Sequence, residues 1–261
     1  MRKTILILAI SLLSMNIFAQ PAQYVAEPVD LGLSVRWATC NIGAFLPEQF
    51  GTYFAWGELA AKQKYDWSTY IFANDKRGKT FKQYNDSDKV TLLQPDNDAA
   101  SVIMEKEPTA WRIPTADEWM ELCTRCRWEF CALNGVNGYK ITGPNNNTIF
   151  LPASDEPVGK SKKKREMTAC YYWSANLSQK IEEAILFFAP DNRPAPQKGG
   201  GVTGSAVHVG LSVGPFLIGH TSSQAQPEQQ QPQQPANITT VAKLMSEKRC
   251  YATPIRPVCP K

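Results

Sequence analysis

Short apolar segments, several of them aromatic, recur along the chain and limit its fold more than any other feature. Apolar residues alternate with other residues at the period of a half-buried strand in one of them: Leu31, Leu33, Val35 and Trp37. Further strand candidates are residues 53–56, 149–151, 171–173, 184–189, 207–213 and 255–259. Pro257 interrupts the last of these, which is typical of an edge strand or a strand end.

Two helices are predicted between these strands. Thr115 and Glu118 have the spacing of a capping box, and Pro114 fixes the direction of entry. The buried face of this helix is expected to hold Trp119, Leu122, Cys123 and Cys126. A shorter helix is predicted over residues 96–104, with Asp96 as its N-cap. The chain is therefore expected to be α+β.

The remaining segments are predicted to be turns and loops. Residues 59–90 are polar and rich in turn formers, which predicts a long surface loop. Asn134-Gly135 and Asn137-Gly138 are both turn signals. Residues 160–165 hold five basic residues among six, which is typical of a solvated loop.

The N-terminus indicates the compartment. Arg2 and Lys3 precede an apolar run from Ile5 to Leu13, and Ala19 provides a small residue for cleavage. This pattern predicts a secretory signal peptide whose core is too short to span a bilayer. The mature protein is therefore expected to be exported to the periplasm, the cell surface or the medium, with no membrane span. A net charge of +4 for the whole chain argues against nucleic acid as a partner.

Residues 190–247 differ in composition from the rest of the chain. They include Gly199-Gly200-Gly201 and a Gln/Pro-rich tract at residues 224–235, which predicts a flexible insertion. The only histidines, His208 and His220, lie in this insertion, so no Cys/His nucleophile is indicated. Signatures of serine hydrolases and of phosphate-binding loops are missing from the sequence.

Several motifs together resemble one known family. Residues 51–58 read Gly-Thr-Tyr-Phe-Ala-Trp-Gly-Glu, and residues 111–115 read Trp-Arg-Ile-Pro-Thr. Other matching segments are 29–44, 65–70, 98–100, 118–119, 134–139, 149–153, 172–174 and 255–260. In this order they resemble the Fibrobacter succinogenes major paralogous domain family, which is abundant in exported proteins of Bacteroidetes-type bacteria.

The resemblance implies a C-type-lectin-like fold with short mixed or antiparallel sheets and two helices, related to the formylglycine-generating-enzyme and sulfatase-modifying group. It divides the chain into a signal peptide (1–19), a leader (20–28), the main part of the domain (29–189), the insertion (190–247) and the closing strand (248–261). Residues 210–216 resemble the closing strand in weakened form. Residues 255–259 are the predicted closing strand because only they keep the Arg-Pro-Val-Cys motif.

Gln94-Pro95-Asp96 spells the tripeptide associated with galactose recognition in calcium-dependent animal lectins. No Trp-Asn-Asp strand follows it, and Pro95-Asp96 is a good helix start. We therefore interpret the tripeptide as local structure and infer no calcium site from it.

The seven cysteines leave one thiol over if they oxidise in pairs. In the implied fold the terminal strands lie side by side, so a Cys40–Cys259 disulfide is expected, with Cys250 as a competing partner. Cys123 and Cys126 are spaced as in redox motifs, but their place on a helix core face favours a structural role. Zinc is not expected because these two and Cys131 lack a clear fourth ligand, although Cys170 is a possible one.

Aromatic residues provide the candidate ligand-binding set, namely Trp67, Tyr70, Tyr171, Tyr172 and Trp173. Strand aromatics more often fill a core, so the loops, chiefly residues 59–90 and the insertion, are the other candidates for recognition.

The sequence thus favours a non-catalytic binding or adhesion module that presents loops to a protein or glycan, with no catalytic residues, metal or cofactor. Two alternatives remain: a formylglycine-generating-type or other thiol-dependent oxidoreductase, and a structural component of a cell-surface assembly.

Overall fold

The computed structural model describes residues 26–154, 156–160, 169–191 and 242–261. The predicted signal peptide, most of the leader, most of the basic run and residues 192–241 of the insertion lie outside them. The same holds for the strand candidate at 207–213 and the weaker closing segment at 210–216.

The described chain is α+β, with two short α-helices and small antiparallel sheets, which confirms the coarse prediction. The helices are α1 (Ala99–Ile103) and α2 (Ala116–Arg125), and a 3-10 turn covers Pro95–Asn97. The strands are β1 (Pro28–Asp30), β2 (Arg36–Ala38), β3 (Tyr53–Ala55), β4 (Arg127–Leu133), β5 (Val136–Thr142), β6 (Thr148–Pro152), β7 (Ala169–Leu177), β8 (Glu183–Pro190), β9 (Lys243–Lys248), β10 (Ala252–Pro254) and β11 (Val258–Cys259).

The first and last strands of the described chain share one sheet. Its order is β1-β2-β11, and Val258 lies opposite Trp37 in the antiparallel register. Of the residues 255–259 predicted to form the closing strand, Val258 and Cys259 form β11. A two-stranded sheet pairs β10 with β3, so a second C-terminal strand also returns to the N-terminal part.

Two three-stranded sheets complete the architecture, β4-β5-β6 and β7-β8-β9. Strand β9 was missed by the sequence analysis, because its alternation is weak and its residues are largely polar or charged. It begins at Lys243, inside the segment assigned to the insertion, and pairs with β8.

Helix α2 forms for the reason predicted. The Thr115 hydroxyl accepts from the Glu118 N–H, and the Glu118 carboxylate accepts from the Thr115 N–H. Arg112 holds the same carboxylate with two guanidinium nitrogens. The predicted face is buried, and the Trp119 ring stacks on Phe187 with centroids 4.7 Å apart.

Strand β7 separates two hydrophobic clusters and is buried on both sides. Tyr172 belongs to the cluster that contains Trp37 and Trp119, whereas Trp173 belongs to the cluster that contains Trp56. The Trp173 indole N–H donates to the Phe54 carbonyl at 3.0 Å. The core therefore extends continuously through this strand.

The structure corrects three local predictions. The short helix begins after Asp98, whose carboxylate accepts from the Ala100 and Ser101 N–H groups, and Asp96 lies in the preceding 3-10 turn. Asn137-Gly138 lies inside β5 and forms no turn, whereas Asn134-Gly135 does connect β4 to β5. Gly138 is needed there because a Cβ would come within 2.6 Å of the Phe150 ring.

The third correction concerns the alternating segment at 31–37. Only Arg36–Ala38 of this stretch is strand, and residues 32–35 bend. The alternating side chains are nevertheless buried, as the pattern predicted: Leu31, Leu33, Val35 and Trp37.

Candidate functional site

The five aromatic residues predicted to bind a ligand are mostly part of the core. Tyr172 and Trp173 are fully buried, and Tyr70 is 3% exposed with its hydroxyl donating to the Trp56 carbonyl. Trp67 and Tyr171 are half-buried. The set is also divided between the 59–90 loop and β7, so it does not form one binding face.

Residues 59–90 form the long loop that the sequence predicted, without a helix and with only an isolated bridge between Ala73 and Phe81. Unexpectedly for a polar segment, several of its aromatic side chains are buried: Tyr65, Tyr70, Phe72, Phe81 and Tyr84. These rings anchor the loop to the core, so its polar residues project from a packed base.

A cavity of about 560 Å³ opens between the end of this loop and the 3-10 turn. We call it the loop pocket. It is lined by Lys82, Gln83, Tyr84, Asp88, Val90, Gln94, Pro95, Asp96 and Asn97. Most of these side chains are polar, and they include two carboxylates and one lysine.

Asp88 shapes the first wall of the loop pocket. Its carboxylate accepts from the backbone N–H groups of Tyr84 (2.6 Å), Asn85 (3.1 Å) and Val90 (2.9 Å). Partial burial opposes ionisation, but these donors and the nearby Arg249 guanidinium outweigh it and lower the pKa of Asp88. The loop is thus closed around an ionised carboxylate.

Tyr84 forms the base of the loop pocket and has a backbone φ of 58°, a left-handed conformation rare for a bulky residue. Its hydroxyl donates to the Asn97 amide oxygen at 2.7 Å and accepts from the Gln94 N–H at 3.1 Å. This phenol therefore connects the two walls. Strained backbone of this kind concentrates at binding and catalytic sites.

Arg249 supports the loop pocket from the core side. It is fully buried, donates to the Tyr84 carbonyl at 3.0 Å, and its guanidinium carbon lies 3.7 Å from the Phe81 ring centroid. Burial lowers the pKa of this guanidinium, which nearby Asp88 partly offsets. Cation–π contact replaces a direct ion pair in stabilising the charge.

The polar groups at the mouth of the loop pocket are largely uncommitted. The Gln83 and Asp96 side chains make no hydrogen bond to any described residue. Lys82 donates to the Ile71 carbonyl and Gln94 to the Leu92 carbonyl, which leaves further donors and acceptors on both walls. The arrangement can hydrogen-bond a polar ligand.

The thiols are arranged for packing. All seven cysteines lie in the described part of the chain, and no disulfide joins any two of them there. Burial raises the pKa of Cys123 to about 11 and that of Cys126 and Cys250 to about 12, and it also raises the pKa of Cys170 and Cys259. Buried thiols of raised pKa are poor nucleophiles.

The expected Cys40–Cys259 disulfide is not formed, although the strands that carry these ends are neighbours. Cys259 lies opposite Arg36, whereas Cys40 is four residues further along. That separation corresponds to roughly 10–13 Å of extended chain. A disulfide needs Cα atoms about 4.4–6.8 Å apart. The neighbouring strands are held instead by Arg256, described below.

Arg256 is a fully buried residue whose role the sequence analysis did not identify. Its guanidinium donates to the Asn41 amide oxygen at 2.8 Å, to the Ala38 and Thr39 carbonyls at 3.0 and 2.7 Å, and to the Phe150 carbonyl at 2.9 Å. It thereby joins the segment after β2, strand β6 and the closing segment. This network gives the arginine of the Arg-Pro-Val-Cys sequence at residues 256–259 a physical role.

Comparison with known proteins identifies no relative: no family model, curated protein or solved structure matches the chain. Within the four described ranges, no helix is long and apolar enough to cross a membrane. In the same ranges, no three His, Cys, Asp or Glu side chains cluster as metal ligands would.

Proposed function

We propose that the protein is an exported, non-catalytic binding module with a C-type-lectin-like fold, of the Fibrobacter succinogenes major paralogous domain type. It presents the loop pocket to a glycan, or to a protein partner, at the cell surface or in the periplasm. The observation that carries the proposal is the loop pocket itself, a polar cavity whose walls are fixed by Asp88, Tyr84 and Arg249.

The positions of the motif residues support the fold assignment. Trp37, Trp56, Trp119 and Trp173 all lie in the family-like motifs, and all four are fully buried. Strand β2, near the start of the described chain, pairs with β11 at its end, as the resemblance leads one to expect. Because the motif residues form the core, the loops are the parts of the chain available for recognition. Loop residues can vary without disturbing the rigid scaffold.

The chemistry of the loop pocket suits a glycan. Sugar hydroxyls both donate and accept hydrogen bonds, and the pocket offers carboxylate acceptors at Asp88 and Asp96 beside the amides of Gln83, Gln94 and Asn97. Its volume lies within the ~300–1,000 Å³ typical of small-molecule sites. Hydrogen bonds made by Asp88, Tyr84 and Arg249 hold the walls of the pocket together, which reduces the entropy lost when a ligand binds.

A glycan-array screen followed by calorimetry tests this proposal. We expect Gln94→Ala and Asp96→Ala, both at exposed positions, to weaken binding of a captured glycan about tenfold each. Asp86→Ala is the matched control, since this exposed residue lies in the same loop but does not line the pocket. Equal losses in all three variants, or binding unaffected by the first two, would refute the loop pocket as the site.

The thiol-dependent oxidoreductase is the alternative from another class. It requires an accessible thiol of low pKa, whereas six of the seven cysteines are buried and Cys131 is half-buried. Their burial supports a binding role over thiol chemistry. Rapid alkylation of one buried cysteine at neutral pH would favour the enzyme instead.

The third possibility, a structural component of a surface assembly, makes a different prediction. Such a component co-purifies with partner proteins and elutes in large complexes during size-exclusion chromatography. A monomer that binds glycans with micromolar affinity supports the binding module.

A further inference from the structure

A second cavity, of about 410 Å³, lies on the outer face of the β4-β5-β6 sheet. We call it the sheet pocket. It is lined by Thr39, Pro47, Cys131, Ala132, Leu133, Lys140, Thr148, Ile149 and Phe150. In contrast to the loop pocket, most of this lining is apolar.

The strand register explains how the sheet pocket is built. Trp128 and Ile141 point into the core, so Cys131, Leu133 and Lys140, at the alternate positions, face outward. Lys140 lies opposite Phe150 of β6, whose ring covers the bare backbone of Gly138. A hydrophobic floor therefore lies directly beside an ammonium group.

The loop after β2 forms the other wall and is fixed to the sheet. The Asn134 amide in the β4–β5 turn donates to the Glu48 carboxylate at 2.8 Å. Glu48 is 7% exposed and is adjacent to Pro47, which lines the cavity. The sheet pocket is thus bounded by tethered elements on both sides.

Lys140 is the only basic side chain in this lining, and it is exposed. It makes no ion pair or hydrogen bond with any described residue. Two carboxylates are near the cavity: Glu129 lies opposite Lys140 on β4, and Glu48 is occupied by Asn134. A ligand with one negative charge can pair with the single ammonium group of Lys140. A polyanion would also be repelled by the neighbouring carboxylates, so it fits this cavity less well.

We propose that the sheet pocket binds a small amphiphilic monoanion, an aliphatic or aromatic carboxylate. Its apolar part lies against Phe150 and Leu133, where burial removes apolar surface from water. Its carboxylate pairs with Lys140 at the mouth, and the Thr39 and Thr148 side chains provide further polar lining. The volume is that of a small-molecule site, and an apolar cavity with few polar groups is the usual form of one.

The test uses two probes that share one aromatic skeleton, anionic 8-anilinonaphthalene-1-sulfonate and uncharged N-phenyl-1-naphthylamine. We expect Lys140→Gln to weaken binding of the sulfonate about two- to fivefold, the upper part of the range for an exposed charge pair. Binding of the uncharged probe is expected to stay unchanged. Lys106→Gln, at an exposed lysine outside the cavity, is the control and is expected to alter neither affinity.

Cys131 provides a readout confined to the sheet pocket, because it lines this cavity while the other six cysteines are buried. Saturating sulfonate is expected to slow iodoacetamide alkylation of Cys131 at least fivefold, with the same midpoint as the fluorescence titration. Thr148→Phe, which fills the cavity from an exposed position on the same face of β6 as Phe150, is expected to abolish both signals.

The proposal is overturned if the sulfonate binds without protecting Cys131, or if Lys140→Gln leaves its affinity unchanged. It is equally overturned if the uncharged probe alone protects the thiol. Circular dichroism of each variant verifies that the exposed substitutions leave the fold intact.

Discussion

Replacing Arg256 with methionine removes the guanidinium that holds the closing segment, but keeps a side chain of similar length. Four oxygen atoms in buried or part-buried positions lose this donor: the carbonyls of Ala38, Thr39 and Phe150 and the amide oxygen of Asn41. A buried acceptor left without a donor costs about 1–3 kcal/mol, but such costs do not add within a network. We therefore expect a total loss of about 3–5 kcal/mol from the four acceptors together.

Urea denaturation followed by tryptophan fluorescence measures this loss. With a slope of about 2 kcal/mol per molar urea, the expected shift of the midpoint is roughly 1.5–2.5 M. Arg36→Met is the matched control, since the Arg36 guanidinium is half-exposed and donates to the single carbonyl of Pro260. We expect that control to cost about 1 kcal/mol.

Arg256→Lys separates the effect of the buried positive charge on stability from the effect of the planar guanidinium geometry. Lysine keeps the buried charge but concentrates its three donors on one nitrogen, so it cannot reach acceptors on three segments as the planar guanidinium does. Its stability is expected to lie well below the wild type, even though the charge is unchanged. If Arg256→Met loses less than about 1 kcal/mol, or no more than Arg36→Met, the network is not what joins the closing segment.

Three further outcomes follow from the geometry. Native protein treated with iodoacetamide near pH 8 is expected to be alkylated at Cys131 only, which mass spectrometry can detect. Burial raises the pKa of Cys123 to about 11, so only about one Cys123 thiol in a thousand is ionised at that pH. Label at Cys123 or Cys126 would contradict this expectation. Thr115→Ala is expected to cost about 1 kcal/mol in chemical denaturation through loss of the capping box, whereas the exposed Thr91→Ala is expected to be neutral. Burial opposes ionisation of Glu118, but Arg112 and the Thr115 N–H outweigh it and lower the pKa of Glu118. The contribution of Glu118 to folding stability is therefore present above its unfolded pKa of about 4.3 and is lost as the pH falls through the lower folded pKa. Glu118→Gln is expected to make the free energy of unfolding less dependent on pH below about pH 4.5, and an unchanged pH dependence in that range would contradict this.

Structural elements that depend on residues close together in the sequence were predicted well. The Thr115–Glu118 pair indicated helix α2 and its buried face, because a capping box acts within one turn. The turn at Asn134-Gly135 was found for the same reason. Asn137-Gly138 carried the same signal but lies in a strand, since packing of Phe150 over Gly138 outweighs turn preference.

The candidate sites depended on contacts between distant residues and were harder to predict. The loop 59–90 was predicted to be a candidate for recognition, but nothing local indicates that Tyr84 takes a left-handed backbone or contacts Arg249, which lies 165 residues further along. Of the candidate aromatic residues, Tyr172 and Trp173 lie in the core because β7 is covered on both faces, which is a property of the whole fold. The sheet pocket requires knowledge of register, which hydrophobic pattern alone did not provide.

Pairing of β2 with β11 also determines when the molecule can fold. Trp37 lies opposite Val258, so the central strand of that sheet lacks one neighbour until Val258 has been made. Contacts this distant in sequence slow folding, because a long loop must close before they stabilise anything. A nascent chain therefore cannot complete this sheet until residues 258–259 have been made. Removal of these two residues would take a strand out of the sheet that contains Trp37, instead of shortening an unpaired tail.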